Sequence, residues 1–69
     1  MEQTFESLKN LAEQGDAEAM YQIGNCYQNG EGVGQDIEKA VEWWIKASDF
    51  GHEKASELVQ KINLIMKLI

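Results

Sequence analysis

From Gly15 to Gly51 the chain reads GDAEAMYQIGNCYQNGEGVGQDIEKAVEWWIKASDFG, and this stretch restricts the fold more than any other. Two runs with helical spacing of apolar residues flank a glycine-rich hinge, NGEGVGQD, from Asn29 to Asp36, and a glycine stands at each outer end. A chain that turns back between two such runs makes one helix–turn–helix unit. The hinge has its own physical reading. Asn29 and Gly30 tolerate the positive φ that ends a helix, Gly32 and Gly34 allow a sharp turn, and Val33 is the apolar residue that tucks into the hairpin. Asp36 suits an N-cap. Glu38 in the first turn and Lys46 near the far end complement the helix dipole.

The spacing predicts four helices. In residues 4–14, Phe5, Leu8, Leu11 and Ala12 form an amphipathic stripe, with Thr4 as cap and Gly15 as terminator. In residues 16–29, Ala19, Met20, Ile23, Cys26 and Tyr27 share roughly 100° of arc and face the core. Gly24 in their midst costs about 1 kcal/mol against alanine, which points to close approach of a neighbouring helix. Tyr21, Asn25 and Gln28 fall on the opposite side. In residues 36–50, Ile37, Ala40, Val41, Trp44, Ala47 and Ser48 form the stripe, and Trp43 and Phe50 flank it. Apolar groups on two faces are the demand a stacked array places on its helices. Glu42 and Lys46 add an i,i+4 pair. In residues 52–69, Ala55, Leu58, Val59, Ile62, Ile65, Met66 and Ile69 form the core stripe, whereas Leu64 and Leu68 project from the other side.

Sixty-nine residues make at most one thin domain. One cysteine excludes an internal disulfide, and there is no cysteine–histidine cluster for zinc. No run reaches the roughly 18 apolar residues of a membrane span, and the acidic, polar opening MEQTFESLKN is unlike a secretory signal. A bacterial or phage protein of the cytoplasm is expected. The net charge is −6, with six lysines and no arginine. The acids concentrate early: Glu2, Glu6, Glu13, Asp16, Glu18, Glu31 and Asp36 against Lys9 alone, while residues 37–69 balance five acids with five lysines. A basic face for nucleic acid is missing, so no direct nucleic-acid binding is expected.

Catalytic and cofactor chemistry find little support. Gly30, Gly32 and Gly34 follow a helix, where a dinucleotide loop needs a strand. Glu31 and Asp36 lack the ligand alternation of a calcium loop. His52, near Asp49 and Glu53, suits a structural role at the turn better than a metal site, which needs three or four converging ligands. Cys26 reads as a small buried hydrophobe. No catalytic residue, cofactor or metal is expected. Trp44 and Tyr27 read as core. Tyr21 is the aromatic best placed for a partner surface, and Trp43 stands between core flank and partner contact.

Gly15 and Gly51 stand 36 positions apart, and at that offset Glu2 meets Glu38, Glu6 meets Glu42, Glu13 meets Asp49, Ala19 meets Ala55, and Ile23 meets Val59. Gly15, Ala17, Ala19, Ile23-Gly24, Tyr27, Gly30-Glu31-Gly32-Val33, Asp36, Lys39-Ala40, Trp43-Trp44, Lys46-Ala47 and Gly51 follow one pattern throughout. In these residues the chain resembles the Sel-one-like repeat family, short relatives of the tetratricopeptide repeat. Residues 4–14 resemble the second helix of a preceding unit, and residues 52–69 the first helix of a following one. Gly34 stands where the family often has proline. Beyond Val59 the pattern is lost, with Gln60 at the glycine position and Asn63 at the tyrosine.

The expected architecture is therefore all-α: an α-solenoid fragment of about four helices in antiparallel helix–turn–helix repeats, stacked with a right hand. It divides into a half unit (1–15), a full unit (16–51) and a capping helix (52–69). The resemblance implies an adaptor or scaffold that binds a protein or peptide, without catalytic activity. The expected partner-binding residues are Tyr21, Asn25, Gln28 and Trp43. The rival reading is a small acidic inhibitor that uses Glu2, Glu6, Glu13, Asp16 and Glu18 to fill a basic or nucleic-acid-binding site. Leu64 and Leu68, which an isolated monomer has no use for, leave three readings open: a homodimer through the last helix, which is the one expected here, a frayed terminus, or docking onto a longer repeat array in another protein.

Overall fold

The computed structural model describes residues 4–68, which hold four helices: α1 (Phe5–Glu13), α2 (Ala17–Asn29), α3 (Ile37–Asp49) and α4 (Glu53–Leu68). Each begins on a side chain that accepts a hydrogen bond from the backbone N–H three residues on. Thr4 accepts from Ser7 at 3.1 Å, Asp16 from Ala19 at 3.0 Å and Asp36 from Lys39 at 3.2 Å. His52 does the same through Nδ1, which accepts from Ala55 at 3.1 Å. These caps satisfy N–H groups that have no partner inside the helix. Asp16, expected as the first residue of α2, stands one position outside it as the cap.

The two turns that join units are copies of one another. The N–H groups of Gln14 and Asp16 donate to the Leu11 carbonyl, and that of Gly15 to Ala12. At an offset of 36, those of Phe50 and His52 donate to Ala47, and that of Gly51 to Ser48. Gly15 and Gly51 adopt φ of 93° and 91°, a left-handed conformation that a side chain would strain. The sequence repeat is thus a repeat of backbone geometry.

Consecutive helices pack antiparallel. Phe5 meets Tyr27 across α1 and α2, Gly24 meets Trp44 across α2 and α3, and Ser48 shares a 2.8 Å hydrogen bond with Ser56 across α3 and α4. The most extensive contact joins α2 to α3. The described residues form a slab of 40 × 25 × 16 Å. Its buried hydrophobic residues are Leu8, Ala12, Ala19, Met20, Ile23, Ala40, Trp44, Ala47 and Ala55, and Gly24 is buried among them. The alanines let helix axes approach closely, and Leu8, Met20, Ile23 and Trp44 fill the space between. No helix among the described residues is long and apolar enough to cross a membrane.

Some expectations are corrected. Ile37, Ile65 and Met66, assigned to core stripes, are 53%, 59% and 67% exposed. The start of α3 faces the end of α4 at an open edge of the slab, where no further helix among the described residues covers them; Ile69 lies outside those residues. Cys26 and Tyr27 are half-buried, because they sit at the margin of the α2 stripe. Lys46 makes no ion pair with Glu42, since its ammonium turns onto an aromatic ring instead. Gly34 has no positive φ and open space around it, so the turn does not require glycine there, whereas Gly32 has φ of 71° and packs on Phe5.

Candidate partner-binding surface

On α3, the stripe Ala40, Trp44, Ala47 turns inward. The residues at i, i+3, i+4 and i+7 from Lys39, namely Glu42, Trp43 and Lys46, then fall together on another side. With Ile45 and Tyr27 they line an open groove of about 490 Å³. Tyr27 is held edge-on by Phe5, with ring centres 5.4 Å apart and planes at 85°. The Lys39 ammonium lies 5.7 Å from the centre of the Tyr27 ring, and the Lys46 ammonium 4.7 Å from that of Trp43. Both fall within cation–π range. Among the described residues neither Lys39 nor Lys46 lies within ion-pair distance of a carboxylate. Trp43 is half-buried, and one edge of the groove carries the 42% exposed Ile45.

The residues expected on the first helix of the unit lie along one side of α2, yet each has a different setting. Tyr21 stacks on the His52 ring, with centres 4.6 Å apart and planes at 16°. His52 Nδ1 accepts the Ala55 N–H, so the ring proton sits on Nε2 and is donated to the Glu18 carboxylate at 2.5 Å. Glu18 also accepts from Gln22 at 3.1 Å, and the bonds from His52 and Gln22 hold its carboxyl below the usual value. This cluster ties α2 to the start of α4. Asn25 lines a depression against α1, with Leu8 and Cys26. The Gln28 carbonyl accepts from Gln35 in the hinge at 2.8 Å. Tyr21, Asn25 and Gln28 therefore do not share a groove with Trp43.

The Tyr21–His52–Glu18 cluster was missed by sequence reasoning, which placed His52 at a turn without a partner. The signal was present: at offset 36 His52 replaces the capping residue Asp16. Among the acids of the inhibitor reading, Asp16 serves as a cap and Glu18 is engaged by His52 and Gln22, which leaves Glu6 and Glu13 exposed; Glu2 lies outside the described residues. Burial and the nearby Glu31 push the Cys26 thiol up in pKa, which keeps it protonated and poorly nucleophilic. Among the described residues no group of three metal-ligating side chains converges.

At the open edge, Ile37, Val41, Ile62 and Met66 line an apolar strip between α3 and α4. Leu64 and Leu68 are 62% and 81% exposed.

The family model described as "Sel1 repeat" matches residues 17–52, over half of the chain. A similar protein from Arabidopsis thaliana, described as the ERAD-associated E3 ubiquitin-protein ligase component HRD3A, is 39% identical over 62 residues. That match covers 88% of this chain and 9% of the relative. No solved structure matches the chain. The matched residues begin with the first turn of α2 and end on the cap of α4, so they span one full helix pair and its joint, and the chain belongs to the Sel1-repeat family, whose units are protein–protein interaction modules.

Proposed function

We propose that the chain is a non-enzymatic docking module that presents the α2–α3 groove around Trp43 to a protein or peptide partner. The observation that carries this reading is the groove itself. Large aromatic rings are left partly open there, on a rigid helix pair, with Ile45 exposed beside them. Exposed aromatics on rigid scaffolds are the usual anchors of interfaces. Tyr21, Asn25 and Gln28 form a secondary contact region on α2, with Tyr21 constrained by its stack on His52. The half unit 1–15 and the capping helix 52–69 then serve to bury the two sides of the full unit 16–51. Affinity capture with the wild type, Trp43→Ala and Tyr21→Ala tests the reading. Loss of captured proteins with Trp43→Ala supports it, and equal recovery with all three chains removes it.

A second reading rests on the open edge. Leu64, Ile65, Met66 and Leu68 are all more than half exposed on one helix end. A second copy of the chain placed about a two-fold axis would cover them, because α1 at the other end of the slab exposes polar residues and offers no apolar complement.

A further inference from the structure

We infer that the α3 groove recognises an extended acidic segment with two carboxylates three residues apart and an apolar side chain between them. This rests on the docking reading above and names its partner class.

Lys39 and Lys46 are seven residues apart on one face of α3, which separates them by about 10.5 Å along the helix axis. A peptide in the polyproline II conformation advances about 3.1 Å per residue with about three residues per turn, so carboxylates at positions i and i+3 lie on one side of it and match that span. Each ammonium is already held over a ring, Lys39 over Tyr27 and Lys46 over Trp43. This holding limits the freedom the lysines would otherwise lose on binding. The rings shield one side of each charge from water, and among the described residues no carboxylate neutralises either one.

Glu42 stands between the two lysines and lines the same groove. It repels a carboxylate at the middle of the segment, which sets the spacing by exclusion as well as by attraction. Trp43 and Ile45 beside it offer apolar surface for the intervening residues. The charge asymmetry of the chain agrees with this location. The excess of acids lies in residues 1–36, whereas residues 37–69, which include α3, are balanced. Within the groove the two lysines outnumber Glu42, so the lining is net positive, although α3 as a whole, with Glu38, Glu42 and Asp49, is not. A nucleic acid is disfavoured, because a long polyanion would also meet the acidic half.

The test is fluorescence anisotropy with labelled synthetic peptides bound to the full chain. One peptide carries aspartate-leucine-alanine-aspartate within a glycine–serine frame. A second has both aspartates replaced by asparagine, and a third places the aspartates next to each other. The first peptide should bind saturably. The asparagine peptide and the Lys39→Gln, Lys46→Gln double variant should each lower affinity roughly tenfold, as loss of two partly exposed charge pairs implies. The adjacent-aspartate peptide should bind more weakly than the first. Equal binding of the first two peptides, equal binding by the double variant, or no saturable binding overturns the proposal. A chain that fails this test but still loses captured proteins on Trp43→Ala keeps its docking role with a different partner chemistry. A chain that fails both loses both readings. A single-stranded oligonucleotide that binds more tightly than the first peptide would also overturn the assignment.

Discussion

The Trp44 indole lies so close to Gly24 that a Cβ at residue 24 would overlap ring atoms Nε1 and Cδ1. Trp44 is 3% exposed, and its Nε1 has no hydrogen-bond partner among the described residues. An unpaired buried donor costs about 1–3 kcal/mol. Burial of the ring and close approach of α2 to α3 offset that cost. Because the obstacle is a rigid ring inside the core, Gly24→Ala should destabilise by about 1–3 kcal/mol, despite alanine's better helix propensity. Trp44→Leu places at residue 44 the side chain that Leu8 supplies at the equivalent position 36 residues earlier. The double variant should then be less destabilised than the sum of the single ones by about 1 kcal/mol or more. Urea denaturation of the four chains measures this, and strict additivity would contradict the contact.

The joint between α2 and α4 should report on pH. Glu18 has its carboxyl held below the ordinary value of 4.5 by the bonds from His52 and Gln22. A depressed folded pKa contributes stability above the unfolded value, and that contribution is lost as pH falls through the folded value. The Glu18 side chain is 60% exposed, so solvent screening keeps the effect small. The urea midpoint of the wild type should fall further between pH 7 and pH 3.5 than that of Glu18→Gln. Parallel curves would sink the assignment.

His52 caps α4, bonds Glu18 and stacks on Tyr21, and the cap is separable from the other two contacts. His52→Asn keeps a capping side chain and should cost less than His52→Ala, which loses all three. The capping share of the difference is about 0.5–2 kcal/mol. Thermal melts followed by circular dichroism decide the order, and equal losses would show that the cap contributes nothing.

The hinge glycines should divide sharply. Gly34 has an ordinary φ, and a Cβ added there would meet nothing within 4 Å, so Gly34→Ala should stabilise by about 0.4–1 kcal/mol through the unfolded chain. Gly32 has φ of 71°, and a Cβ there would meet the Phe5 Cβ at 3.2 Å, so Gly32→Ala should destabilise. Melting temperatures that move in the same direction for both would be incompatible with this hinge.

Self-association should follow the open edge. Sedimentation equilibrium of the wild type should give twice the chain mass, and Leu64→Glu with Leu68→Glu should restore the monomer. Both residues are exposed, so the substitutions leave the core intact. A wild type that stays monomeric at high concentration removes the two-fold arrangement.

Much of the fold was legible because its determinants are local. Thr4 and Asp36 cap as side chains next to the N–H groups they satisfy, and Gly15, Gly30 and Gly51 mark left-handed positions that few other residues adopt. Gly24 signalled its neighbour because glycine inside a helix needs a reason. The stripes of α3 and α4 were less legible at their ends. Periodicity places Ile37 and Met66 on the inward side but does not say whether another helix covers that level of the stack. The candidate groove was only partly legible. Trp43 was singled out, but the choice of Lys46 between Glu42 and the Trp43 ring depends on side-chain direction, which spacing alone does not determine. The bond from His52 to Glu18 crosses 34 residues, and a helical wheel has no access to such a contact.

The duplicated turn makes chain length an adjustable quantity. The bonds around Gly15 recur around Gly51, so the chain leaves one helix pair with the backbone arrangement with which it entered. A copy of residues 16–51 spliced after Gly51 would meet at its start the same backbone geometry that Asp16 meets now, and would hand the same geometry on to His52. The module is therefore extensible by whole copies, each adding another α3-type groove, so that reach and valency along a partner grow in equal steps.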